Sequence, residues 1–114
     1  MSEPDPQTGL HHPAEGTEQS PGADAVDIGD GHMIEYRNYH GQPAGIIDWH
    51  RTAAGKWCCG WVAFRGSPWE QGFQSTKIAS WEVVDREPLT LSPSLLCKTC
   101  GSHGFIRQGQ WVRA

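Results

Sequence analysis

Four cysteines and one histidine fall into two short clusters, Cys58-Cys59-Gly60 and Cys97-Lys98-Thr99-Cys100-Gly101-Ser102-His103. Nothing else in the chain constrains its folding as much. Two thiols in a C-x-x-C can grip one ion from a tight turn, and a following glycine lets the backbone bend toward the sulfurs. Zinc in structural sites takes four ligands, usually cysteine with some histidine. Cys97, Cys100 and His103 therefore read as three ligands, and the fourth comes from the upstream pair. Neighbouring side chains on a strand point to opposite faces, so one of Cys58 and Cys59 faces the ion. Cys59 is favoured because Cys59-Gly60 repeats the step Cys100-Gly101, and His50 is the reserve ligand. Other readings stay open: a redox-active C-x-x-C, buried cysteines without metal, and a His103 that orients a ligand or is a plain strand residue.

A staple fits the size of the chain. Of its 114 residues, the first 26 carry four prolines, three glycines, five acids and no lysine or arginine. Such a stretch cannot bury enough apolar surface to offset its ordering entropy, so it reads as a disordered acidic tail. Residues 27–114 then form the folded domain. They hold eight acids and nine bases, so the formal net charge of −4 belongs to the tail. A domain this small has little core, and a metal or disulfides often make up the shortfall. No signal peptide or membrane-length apolar run occurs. A cytoplasmic setting is expected, where cysteines serve metal better than disulfides.

The apolar spacing is mostly two, and glycine and proline recur too often for a convincing amphipathic helix. Strands are expected over 32–37, 45–50, 56–64, 78–84, 88–96, 103–107 and 110–112. Together they give a mainly β, mostly antiparallel fold with zinc-ribbon-like knuckles. Gln108-Gly109 is the clearest hairpin turn, since Gly109 tolerates the positive φ. Pro93 cannot donate a ladder hydrogen bond, so its strand is an edge or ends early. Residues 66–77 read as a loop, with room for a short helix there or over 75–80. His11, His12, His32 and His40 read as solvated.

The segment from Trp81 to Trp111 resembles an uncharacterised family of bacteria and phages, domain of unknown function 6527. Thr90-Leu91-Ser92-Pro93-Ser94, a following cysteine, Ser102-His103, Ile106 and the Gly109 turn carry the likeness. The resemblance implies metal binding through positions matching Cys59, Cys100 and His103. Cys97 departs from members that lack a cysteine there. It also implies a phage or prophage origin.

Three function classes remain. One is a structural-zinc protein-interaction module, a phage accessory factor that binds a host or phage protein through tryptophans such as Trp57, Trp61, Trp69 and Trp111. A nucleic-acid-binding zinc ribbon is the second, with Arg86, Lys98, Arg107 and Arg113 near the metal; the near-neutral domain and acidic tail speak against it. The third is a metal-dependent hydrolase with Glu82 or Glu87 as acid or base, though four protein ligands favour a closed site. Ser102-His103 alone is no dyad, because adjacent side chains diverge. The expectation is of a binding protein with no catalytic residue.

Overall fold

In the computed structural model, residues 20–52, 54–67, 79–97 and 101–114 are described. Expectations for residues 1–19, for most of the loop over 66–77, for Trp69, for Lys98 and for Cys100 fall outside them. Among the described residues, nine strands appear in chain order: β1 (Val26–Gly29), β2 (His32–Tyr39), β3 (Gln42–Arg51), β4 (Trp57–Phe64), β5 (Ser80–Arg86), β6 (Leu89–Ser92), β7 (Leu95–Leu96), β8 (His103–Arg107) and β9 (Gln110–Arg113). The first six form one sheet in sequential order, and the last three form a second sheet. The mainly β fold expected from the spacing of apolar residues is the fold observed. No helix among the described residues is long and apolar enough to cross a membrane.

Three of the hairpins turn on an X-Gly pair. Asp30-Gly31, His40-Gly41 and Gln108-Gly109 all have positive φ at both positions. That conformation matches the twist of the flanking strands, and glycine supplies it at low cost in the second place. The turn at Gln108-Gly109 is the one anticipated. It also joins the two sheets, because the Gly109 amide donates to the Leu89 carbonyl at 2.8 Å and the Gln108 amide to Thr90 Oγ1 at 2.9 Å.

Several boundaries differ from expectation. The strand expected over 88–96 is two strands, and the chain passes from one sheet to the other at Pro93, which has no N–H to continue a ladder. The β4–β5 pairing is parallel, Ala63 opposite Ser80 and Phe64 opposite Trp81. Val26, assigned to the tail, opens β1, and the Gly22 amide donates to Glu35 Oε1 at 3.0 Å.

The main core lies between the two sheets. Ile34, Ile46, Val62, Phe64, Trp81, Leu91, Leu95 and Ile106 meet there, all nearly inaccessible to solvent. Trp81 secures the crossing into the second sheet by donating its indole N–H to the Ser94 carbonyl at 3.1 Å. Ala44, Trp61 and Ala63 pack on the opposite face of the large sheet.

Candidate functional site

Strand register places the polar side chains. His32 on β2 lies opposite His50 on β3, which lies opposite Cys58 on β4. Asp48 is two residues from His50, so both share one face of β3. That face is the core side, since Ile34 pairs with Asp48 and Ile46 pairs with Val62. Four groups that can carry charge or bind metal are thus turned into an otherwise apolar layer. His32 is 5%, Asp48 1% and His50 1% exposed. Buried polar groups of this kind require partners.

Asp48 joins them. His32 Nδ1 donates to Asp48 Oδ1 at 3.0 Å, and His50 Nδ1 donates to Asp48 Oδ2 at 3.2 Å. Burial pushes the Asp48 carboxyl up, but the hydrogen bonds from His32 and His50 outweigh it and bring the group down to about 2. A carboxylate accepts both bonds, so each imidazole keeps its N–H on Nδ1 and its lone pair on Nε2. For His32, Nε2 lies 3.2 Å from Ser102 Oγ, which donates to it. Serine hydroxyl, imidazole and carboxylate therefore form one continuous chain, Ser102–His32–Asp48. The indole of Trp111 stacks on the His32 ring at 3.6 Å between centroids and 12° between planes.

The second sheet delivers Ser102. The Cys97 amide donates to the Ser102 carbonyl at 2.8 Å, and the Gly101 amide donates to the Cys97 carbonyl at 2.7 Å. Gly101 has φ of 81°, which a side chain would oppose. The turn joining β7 to β8 is thereby closed, with Cys97 and Ser102 facing each other across its neck.

Beside this chain lies a second group. His50, Cys58 and Cys97 each place a ligand atom within 4.8 Å of the others, as do His32, Asp48 and His50. These buried groups could hold a metal ion. The Cys58 and Cys97 sulfurs are 3.7 Å apart, well beyond a disulfide bond.

The expected ligands are only partly brought together. Cys97 is buried at the site, and Cys100 lies outside the described residues. Cys58 is the member of the upstream pair whose sulfur meets Cys97. Cys59 sits on the other parity of β4, opposite Trp49, and burial pushes its thiol up to about 11. His103 is exposed at the start of β8, with Nε2 3.1 Å from Ser94 Oγ. His50, the reserve ligand, is at the centre. His32 is buried, contrary to the solvated reading. Ser102 is indeed not paired with His103; its partner comes from 70 residues upstream. Glu82, Glu87, Arg86 and Arg107 are exposed, and Arg113 is paired with Asp30 at 2.9 Å. One signal marked the missed residues in advance: Asp48 and His50 occupy the same alternating positions as Ile46, on the face that should be apolar.

Residues 43–114 match the model of one family, BubE, the bacterial ubiquitination-like system serine protease. The match spans more than half of the chain, and the chain belongs to that family. It includes Asp48, His50, Cys58, Cys97 and Ser102, whereas His32 precedes it. No curated protein and no solved structure matches. Membership replaces the resemblance to domain of unknown function 6527. It also overturns the structural-zinc interaction module, the phage accessory role and the zinc-ribbon description, because the family is one of serine proteases. The zinc readings rested on cysteine spacing, the phage role on the resemblance and the interaction module on the tail and tryptophans, and none of these says anything of the buried His32 and Asp48.

Proposed function

We propose that this member of the family is a serine peptidase, with Ser102 as nucleophile, His32 as general base and then acid, and Asp48 as the group that orients His32. The observation that carries the reading is the chain of two hydrogen bonds, Ser102 Oγ to His32 Nε2 and His32 Nδ1 to Asp48. Its roles follow from chemistry that recurs on unrelated folds. Ser102 Oγ attacks the scissile carbonyl carbon while its proton passes to His32 Nε2. Asp48 stabilises the resulting imidazolium and fixes its orientation. His32 returns the proton to the leaving amine as the C–N bond breaks, leaving an acyl ester on Ser102. Water then attacks the ester, giving its proton to His32; the ester C–O bond breaks, the acid leaves, and His32 returns the proton to Ser102 Oγ. The family's description, a serine protease of a bacterial ubiquitination-like system, supports a protein of such a system as the substrate, cleaved at a peptide-type bond.

The zinc expected from the sequence enters the same reading at a revised position. One imidazole and two thiols, from His50, Cys58 and Cys97, are a donor set that zinc takes. Cys100, in the same C-x-x-C as Cys97, is the thiol the sequence offers for a fourth position.

A fluorophosphonate probe tests the peptidase assignment. The intact protein should gain one probe mass on Ser102, and Ser102→Ala and His32→Ala should each abolish labelling while keeping the wild-type far-UV spectrum. Labelling on another residue, or none on folded wild-type protein, would remove the assignment.

A further inference from the structure

We infer that the ion held by His50, Cys58 and Cys97 is a clamp that sets both ends of the Ser102–His32–Asp48 chain, so that occupancy of the metal site controls the reactivity of Ser102. The inference rests on the peptidase reading for its catalytic half and on the buried donors alone for its metal half.

Two connections lead from the donor cluster into the hydrogen-bonded chain. The first runs through His50. A histidine that ligates metal through one nitrogen commonly donates its other N–H to a carboxylate, which fixes the ring and the carboxylate together. His50 Nδ1 makes that bond to Asp48 Oδ2 at 3.2 Å. The same carboxylate turns Oδ1 to His32 at 3.0 Å. Holding His50 therefore holds Asp48, and Asp48 orients His32. The second connection runs through Cys97. Its amide is bonded to the Ser102 carbonyl, and its carbonyl accepts from the Gly101 amide. Fixing the Cys97 sulfur fixes the neck of the turn that carries Ser102.

The two connections start on different sheets. His50 and Cys58 belong to β3 and β4 of the large sheet, whereas Cys97 follows β7 of the small one. His32 and Asp48 are on the large sheet and Ser102 is beside the small one. The 3.2 Å contact between Ser102 and His32 thus crosses between sheets, as does the 3.7 Å approach of Cys58 to Cys97. A divalent cation bound by thiolates fastens the sheets next to the place where the nucleophile must meet its base. Both thiols are almost inaccessible, Cys58 at 5% and Cys97 at 0%. A thiophilic cation at this place would take both sulfurs as ligands and would offset the cost of burying their charge as thiolates.

Full-length protein is purified untagged, and its zinc content and fluorophosphonate labelling are measured on the same sample. About one zinc per chain is expected. Cobalt-exchanged protein should show a thiolate-to-cobalt charge-transfer band, which Cys58→Ser weakens and Cys59→Ser leaves unchanged. Stripping the metal should slow labelling of Ser102 by roughly tenfold or more, with zinc restoring it. Ser102→Ala should keep its zinc and lose only labelling. Wild-type protein that takes up neither zinc nor cobalt overturns the metal half, whether or not any variant folds. Metal-free protein that labels at the holo rate overturns the clamp. Bound metal with no labelling of Ser102 in any state overturns the peptidase reading instead, while the cobalt band still reports the site.

Discussion

The large sheet buries two carboxylates on its two faces, and their partners set them apart. Glu35 is 6% exposed and receives the Gly22 amide, the Trp49 indole N–H at 2.6 Å and the Arg37 guanidinium. Asp48 is 1% exposed and receives two imidazoles. Glu35 is surrounded by donors that keep their protons at any ordinary pH, which suits a group that fastens β2 to β3 and to the segment before β1. Asp48 is surrounded by groups that can give up or take a proton, and one of them continues to a hydroxyl. Burial alone does not separate a carboxylate that holds structure from one that serves chemistry; the chemistry of its donors does.

Exchanging the acid for its amide sharpens this contrast. Asp48→Asn can no longer hold His32 in the tautomer that accepts from Ser102, so labelling or turnover should fall by on the order of 10⁴-fold with the fold retained. Activity within a few-fold of wild type in that variant would put Asp48 with Glu35 as a structural group. Gly104→Ala attacks the same face from the other sheet. A Cβ there would sit about as close as 2.5 Å to the Trp111 ring, and Trp111 covers His32. Stability should drop by about 1–3 kcal/mol, with slower labelling of Ser102 as Trp111 shifts; an unchanged melt would mean that the ring and the Val112 carbonyl oxygen, 2.6 Å from the same Cβ, both give way freely. Glu35→Gln should have the smallest effect, about 1–2 kcal/mol on stability and almost none on labelling. Its pH dependence carries a definite sign. Burial pushes the Glu35 carboxyl up, but the hydrogen bonds from Gly22, Trp49 and Arg37 outweigh it and hold the group below its ordinary 4.5. The ionised group thus contributes its full stability above about pH 4.5 and loses it as pH falls through the lowered value. The gap between wild type and variant should narrow in acid, and a gap that widens would contradict the assigned direction.

Legibility in the sequence followed the range of the interactions. Period-two apolar spacing located β2, β3, β4, β8 and β9, because alternation is local. Only one of three X-Gly turns was singled out, although Asp30-Gly31 and His40-Gly41 carry the same residue type for the same positive φ. The short, glycine-flanked β1 went unseen for that reason. The parallel pairing of β4 with β5 was illegible, since it depends on a crossover rather than on a turn. At the site, the cysteine clusters announced their proximity, and Cys58 does meet Cys97. The choice of Cys59 turned on a repeated Cys-Gly step, whereas the pairing of His50 with Cys58 across β3 and β4 decides which sulfur faces inward. Ser102, His32 and Asp48 share no spacing rule. Their meeting depends on how two sheets pack, and only the unexpected polarity of Asp48 and His50 at core positions hinted at it.

The distances along the chain between these three residues impose an order on synthesis. His32 and Asp48 are 16 residues apart, within a single hairpin, whereas Ser102 is 70 residues from His32. A ribosome delivers His32 and Asp48 before Ser102. A nascent or prematurely terminated chain can pair His32 with Asp48 and still have nothing for them to act through. On the peptidase reading, such a chain is born inert and gains its nucleophile only when the segment carrying Ser102 arrives.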